Sequence, residues 1–223
     1  MNTLTLKNVA YQYEGANKLV LKGVNAEFSS GKIYTIVGKS GAGKSTLLAL
    51  IAGLDVCTEG EIIYKDTNLM ELDRDDYRAK SIGVIFQSFN LLTNATGIEN
   101  ILLSMSISGN QEKNKKEYAY ALLEKVGIDR ETADRKVLKL SGGEQQRIGI
   151  ARALSHNPDI VIADEPTGNL DSDTEAAVLN ILTSLAHDEG KCVIIVTHSK
   201  KVTSIADEVW GINDGKLLFV KHS

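Results

Sequence analysis

Cysteine is scarce: the chain of 223 residues has two, Cys57 and Cys192. Two in so long a chain do not make a disulfide framework. Cys192 opens the apolar run Val193-Ile194-Ile195-Val196, where a thiol acts as a small buried hydrophobe. Both are expected to be reduced thiols of a cytosolic protein. Long apolar runs are missing too, none approaching the roughly 18 residues a membrane span needs. The start, Met1-Asn2-Thr3-Leu4-Thr5-Leu6-Lys7, has no basic segment leading into an apolar core and does not read as a signal peptide. A membrane role would therefore require a partner. There is no basic excess either. A formal net charge of -4 argues against DNA or RNA as the main ligand, but a small nucleotide needs only local donors and one or two cations. No internal repeat, low-complexity segment or linker interrupts the chain.

What is present fits a globular α/β protein. Apolar residues make up 43% and charged residues 24%, and the length suits one large domain or a domain with a subdomain. Four short runs, Ile33–Val37, Ile82–Phe86, Ile160–Ala163 and Val193–Val196, are apolar on successive residues. That is the pattern of parallel strands covered on both faces. Residues 3 to 35 contain more alternating segments, Leu4–Val9 and Leu21–Phe28, which predict a small antiparallel sheet with one wetter face. Residues 88 to 155 read as mostly helical, with one helix over Glu112–Val126 closed by Gly127 after the loop Ser108–Gln111. After Val193–Val196, taken as the last parallel strand, a short tail ends in a hairpin at Asn213-Asp214-Gly215 and leaves no room for a regulatory domain.

Three segments carry chemistry. Gly38-Lys39-Ser40-Gly41-Ala42-Gly43-Lys44-Ser45 fits G-x-x-x-x-G-K-[ST], and lies between a predicted strand and an apolar helix (Leu47, Leu48, Leu50, Ile51). Glycines let backbone N–H groups crowd around phosphate oxygens, and the helix start adds partial positive charge. Lys44 can reach the β- and γ-phosphates, and the Ser45 hydroxyl can ligate Mg²⁺. The run Asp159–Ala163 ends in Asp164 and Glu165. Acids at the carboxyl end of a buried strand can hold Mg²⁺ and polarise an attacking water. Because neighbours on a strand point opposite ways, the two are expected to divide those roles. Thirdly, Ser141-Gly142-Gly143-Glu144 opens a helix with a capping box. A good cap needs no glycine pair in the first turn, yet the pair lets a phosphate reach bare amides, so an efficient helix start and a phosphate contact both remain open.

Gly38–Ser45, Gln87, Leu140–Glu144, Ile160–Glu165, Gly168-Asn169-Leu170-Asp171 and His198 occur in the order found in the nucleotide-binding domain of ATP-binding cassette (ABC) transporters. The chain resembles that family over essentially its whole length. The resemblance implies a single nucleotide-binding domain over residues 1–223: a P-loop NTPase core with a mostly parallel sheet, an N-terminal antiparallel β-subdomain and an inserted α-helical subdomain at about 88–155. It implies ATP and Mg²⁺ as ligands. ATP would be held by Gly38–Ser45 and Thr46, with Tyr13, or less favourably Tyr11, stacked on adenine and Val20 on the base or ribose. Ser45, Gln87 and Asp164 would hold the metal, and Glu165, His198 and Gln87 would serve hydrolysis. Ser141, Gly142, Gly143 and Glu144 would close over the ATP of a second copy, and Asp171 would cross to that copy. Two positions depart from the commonest family pattern: Glu144 stands where Gln is frequent, and Ser199 follows His198 where Asp is frequent.

Gln87–Leu92 and Pro166–Ser172 look most like the branch that powers lipoprotein release and export of, or resistance to, macrolides and antimicrobial peptides, and that includes a cell-division relative. The expectation is an ATP-driven homodimer on the inner face of the cell membrane, bound to a separate permease and not to nucleic acid. Phe89–Leu103 would line the groove for a short helix of that permease. The alternative is a regulator of a membrane signalling or cell-division complex. Soluble ABC proteins of translation or repair fit less well, lacking here a second cassette or a coiled coil. A GTPase or small-molecule kinase leaves Ser141–Gly143 unexplained.

Overall fold

Residues 2–168 and 170–222 are described by a computed structural model of the protein. Asn169, expected in the motif after the strand-end acids, lies outside them. The chain opens with β1 (Asn2–Tyr11) and β2 (Leu21–Ser29), then enters β3 (Lys32–Val37) and α1 (Lys44–Ile51). β4 (Glu59–Tyr64), β5 (Thr67–Asn68), α2 (Arg74–Lys80) and β6 (Ile82–Ile85) follow. Next come the helices α3 (Gly97–Ile107), α4 (Lys115–Lys125), the single turn α5 (Arg130–Ala133) and α6 (Gly142–Leu154). The remainder is β7 (Ile160–Asp164), α7 (Ser172–His187), β8 (Cys192–Val196), α8 (Lys200–Ser204), β9 (Glu208–Asn213) and β10 (Lys216–His222).

The unbroken apolar runs are adjacent strands of a six-stranded sheet in the order β10-β9-β3-β8-β7-β6, parallel except for β10. Their residues are apolar in succession because both faces are covered. Val161, Ala163, Val193 and Ile195 point into one core with α6 and α7, while Ile160, Ile162, Ile194 and Val196 point into a second core with α1 and the antiparallel sheet. Cys192 is fully buried in that second core, and burial pushes its thiol up to about 12, which keeps it unreactive.

Three boundaries differ from the sequence expectation, each for a local reason. The antiparallel sheet has four strands, β2-β1-β4-β5, so half of it comes after α1 and not from residues 3 to 35. In β4, Glu59-Gly60-Glu61 hides the alternation that Ile62 and Tyr64 alone continue. Helix α4 starts at Lys115 because Asn114 caps it, accepting from the Glu117 amide, while the Glu112 amide is held in the preceding loop by Asn110. Finally, β8 is not the last parallel strand. β9 pairs with the other side of β3, and its buried positions, Val209 and Ile212, are interrupted by Trp210 and Gly211. The hairpin turn follows β9, with Asp214 and Gly215 at φ 45° and 76°, both left-handed as a tight two-residue hairpin requires.

Candidate active site

Strands β3, β8, β7 and β6 end at one level: Ile36 and Asp164 both pair with Val196, and Ile85 pairs with Ala163. The segments leaving those ends carry Ser45, Gln87, Glu165 and His198 into one cavity of about 920 Å³, with Tyr13 and Val20 at its other side. This is the carboxyl edge of a parallel sheet, where such folds bind ligands.

The loop before α1 is shaped by close approaches. Gly43 sits at φ 106°, and a Cβ there would come within 3.0 Å of Leu21 Cδ2 and 3.2 Å of the Val20 carbonyl. A Cβ on Gly38 would lie 2.4 Å from the Ile212 carbonyl, so only glycine lets the loop leave β3 beside β9. No side chain caps α1, and its first amides are left for another acceptor. Lys44 is buried, and its Nζ donates to the carbonyls of Gly38 (2.7 Å) and Lys39 (3.0 Å). Gly38 and Lys39 thus hold the lysine and do not line the cavity, and Ala42 packs on the core behind. Ser40, Gly41, Gly43, Lys44, Ser45 and Thr46 form the wall.

Asp164 ends β7, and its Oδ2 accepts from the Ser45 hydroxyl at 3.2 Å. Burial pushes its carboxyl above the usual carboxylate range; the Ser45 bond pulls it back, Glu165 beside it pushes it up, and Lys44 pulls it down. Glu165 is separated from Asp164 for a reason other than strand alternation: its backbone is left-handed (φ 44°) and already outside the strand. Its Oε2 accepts from the Thr197 hydroxyl (3.1 Å) and the His198 amide (3.2 Å). Among the described residues its buried Oε1 has no hydrogen-bond partner, and His198 Nε2 lies 3.6 Å away. Such an oxygen is costly unless a ligand or water meets it.

The two tyrosines differ in burial. Tyr11 is in the core with its hydroxyl on Asp55, whereas Tyr13 is half exposed at the cavity. Tyr13 stands edge-on to Tyr11 (centroids 5.0 Å, 88°), and its hydroxyl pairs with Thr46 Oγ1 at 2.8 Å. Gln87 is exposed at the cavity.

The remaining expected residues are not at this cavity. Ser141, Gly142, Gly143 and Glu144 form the first turn of α6. The capping box is made: the Ser141 hydroxyl accepts from the Glu144 amide (3.3 Å), and Glu144 Oε2 accepts from the Ser141 amide (2.7 Å). Asp171 caps α7, accepting from the amides of Asp173 and Thr174 and from the Thr174 hydroxyl.

Residues 21–168 match the family model described as "ABC transporter". The chain belongs to the ABC transporter family. This ABC protein is 42% identical over 207 residues to YclH of Bacillus subtilis (strain 168), an uncharacterized ABC transporter ATP-binding protein, covering 93% of this chain and 92% of that one. It is 39% identical over 226 residues to the lipoprotein-releasing system ATP-binding protein LolD of Francisella tularensis (strain FSC 198), covering 99% of this chain and 97% of LolD. Among solved structures it resembles the dimeric ATP-binding cassette MJ0796 in a post-hydrolysis state bound to ADP and Pi, with a TM-score of 0.88 at 34% identity, covering 99% of this chain and all of the other. The ABC protein is thus an ATP-binding subunit and an ATPase.

Some residues of this ABC protein were not foreseen. Thr197 joins the Glu165 carboxylate to the backbone of Ser199, whose amide donates to Thr197 Oγ1 at 2.9 Å. The available signal was a polar residue directly after an apolar strand. Gln146, buried in α6, donates to the Pro166 carbonyl at 2.8 Å and ties that helix to the loop after Glu165. No helix among the described residues is long and apolar enough to cross a membrane.

Proposed function

We propose that this chain is the motor of an export or resistance transporter of the lipoprotein-release and peptide-export branch. Two copies close head to tail over ATP and act on a separate permease for a hydrophobic or peptide-type cargo, at the cytoplasmic face of the membrane. The observation that carries it is the division of phosphate-binding chemistry. Lys44, Ser45, Asp164, Glu165 and His198 share one cavity, while the glycine pair at the start of α6 does not line it, and Gly142 has room for an approach from outside the chain. The 39% identity to LolD over 99% of the chain supports the branch. The cleft of about 310 Å³ between Leu92, Leu103, Ile107 and Arg152, with exposed leucines at its rim, supports a permease helix as the groove's occupant.

In this reading Tyr13 stacks on adenine, Val20 packs beside it, and the amides of Gly41 to Thr46 with the Lys44 ammonium hold the phosphates. Ser45 and Asp164 offer hard oxygen donors 3.2 Å apart, which suits Mg²⁺. Among the described residues no cluster of three or more His, Cys, Asp or Glu could bind a metal alone, so phosphate and water oxygens would complete its shell, with Gln87 within reach of the site. A bound Mg²⁺ would neutralise charge on the β- and γ-phosphate oxygens. The free Oε1 of Glu165 accepts a proton from the attacking water, and His198 steadies the γ-phosphate side. The water oxygen bonds to the γ-phosphorus as the bond from that phosphorus to the bridging oxygen breaks, the bridging electrons stay on ADP, and Glu165 passes its proton on to the phosphate formed or to solvent. Asp171 meets the second copy beside its capping role.

Glu165→Gln tests this. Hydrolysis should fall at least about a hundredfold, the scale of a general base, while ATP still binds and drives a stable dimer on size-exclusion chromatography. A variant that stays monomeric at saturating ATP defeats the two-copy site. Recovery of ribosomes or DNA, and no multispanning protein, by pull-down from native membranes defeats the transport reading.

A further inference from the structure

Glu175, in the first turn of α7, lines the same cavity with Thr167 and Ser199, has no role in the reading above, and joins the two segments that carry the chemistry. Its Oε1 accepts from the Thr167 hydroxyl (3.3 Å), two residues after Glu165, and from the Ser199 hydroxyl (3.2 Å), next to His198. Its Oε2 accepts from Lys201 Nζ at 2.8 Å, in the first turn of α8. The carboxylate side chain is 14% exposed, so these contacts are made away from bulk water, where they are stronger. The Lys201 bond holds the carboxyl below its usual range against the burial that would raise it. Ser199 is thereby used twice: it caps α8 by accepting from the Val202 amide and donates to Glu175.

We propose that Glu175 is a positioning residue for hydrolysis, a clamp that fixes the Glu165 loop against the His198 loop through Thr167 and Ser199. The Glu165 loop is also held by Gln146 of α6, on the Pro166 carbonyl, and by its own amide on the Val196 carbonyl at the end of β8. Among the described residues the other side-chain hydrogen bonds between the two loops are those of Glu165 to Thr197 and the His198 amide, and they are made by the reacting carboxylate itself. A second carboxylate that holds the loops leaves Glu165 free to turn its Oε1 toward water. Position 199 is serine where the family often has aspartate, and the clamp places a carboxylate against that same side chain from α7.

The proposal rests on Glu165 and His198 as the reacting pair. The test measures kcat and KM for ATP on Glu175→Ala, Glu175→Gln and the double variant Glu175→Ala/Ser199→Asp, with Glu165→Gln alongside. Glu175→Ala should lower kcat roughly tenfold, the scale of a small misplacement, with KM and the nucleotide Kd changed less than about twofold. Glu175→Gln keeps an acceptor for both hydroxyls and should fall between. Ser199→Asp in the alanine background should restore kcat to within about threefold, because the Thr167 and Ser199 hydroxyls converge on one oxygen. Wild-type kcat in Glu175→Ala, or a double variant no faster than it, overturns the clamp. If Glu175→Ala does not fold, Thr167→Val and Glu175→Gln read the same bonds, and unchanged kcat in both overturns it. Retained hydrolysis in Glu165→Gln sinks the reading of the reacting pair. A dead Glu165→Gln beside a fully active Glu175→Ala sinks only the clamp.

Discussion

Two helices of this protein start on glycine-rich turns, and they start differently. Helix α1 begins after Gly43 in a left-handed conformation with no side-chain cap, and it faces the cavity. Helix α6 begins with a closed capping box at Ser141 and Glu144, and its first turn does not line that cavity. A glycine start with no side-chain cap leaves amides for a ligand and gives up only about a few tenths of a kcal/mol of local stability. A capped start has part of that need met within the chain. The difference teaches that α1 is left open to an outside acceptor, phosphate in the proposed reading, whereas α6 would meet a phosphate only with the amides the cap leaves over.

The strongest way to break this contrast is Lys44→Ala. Lys44 is the buried cation of the uncapped start, now donating two hydrogen bonds to loop carbonyls. Losing two charge-assisted bonds to phosphate should weaken ATP about a hundredfold, measured with a fluorescent nucleotide at equilibrium. Affinity within a few-fold of wild type would mean the α1 amides alone carry the grip.

The glycine pair of α6 sharpens the other side. A Cβ on Gly143 would lie 2.6 Å from Thr174 Cγ2, so that glycine has a packing reason within the chain. A Cβ on Gly142 would meet nothing nearer than Phe89 Cζ at 3.8 Å, so packing does not demand glycine there. Gly142→Ala should therefore keep or raise thermal stability, by up to about 1 kcal/mol from helix propensity, and should fold normally. If α6 meets the phosphate of a second copy, the same change lowers hydrolysis and ATP-driven dimerisation roughly tenfold by filling the approach. Unchanged hydrolysis assigns Gly142 to the helix start alone. Gly143→Ala cannot make this distinction, because it strains the contact with α7.

The readable parts of the molecule were those whose causes are local. Gly38–Ser45 announces its strand, turn and helix, and Ser141 with Glu144 announces its cap, because in each the partners are within a few residues. The buried parallel strands were legible because covering both faces leaves no polar alternation to disguise them. β9 was hidden because Trp210 and Gly211 interrupt its run, and only pairing with β3, far away in sequence, makes it a parallel strand. Thr197, Gln146 and Glu175 act through partners 20 to 32 residues away for the first two and 24 for Ser199 against Glu175, and no periodicity encodes such meetings. Asp164 and Glu165 line one cavity but take different partners, and the expectation rested on alternation along a strand, whereas Glu165 is a left-handed residue just past its end.

The smallest expected effect concerns what the α1 side of the comparison costs the protein before nucleotide arrives. Burial raises the Asp164 carboxyl above its ordinary value, with Glu165 pushing the same way and Ser45 and Lys44 opposing. The folded state then binds that proton more tightly than the unfolded state does. Its contribution to stability is fully present below the ordinary carboxylate pKa and is lost as pH rises through the raised one. Asp164→Asn removes the buried charge yet keeps an oxygen to accept from Ser45. Without nucleotide, the variant should melt a few degrees above wild type near neutral pH, with the gap closing toward about pH 4. With Mg²⁺ and ATP the order should reverse, because only the carboxylate gains from the cation and ligand binding stabilises the folded state in proportion to affinity. A variant that melts lower than wild type at neutral pH without nucleotide would show that Asp164 is settled by Ser45 and Lys44 alone. The uncapped helix would then carry the whole cost of keeping this end of the sheet ready.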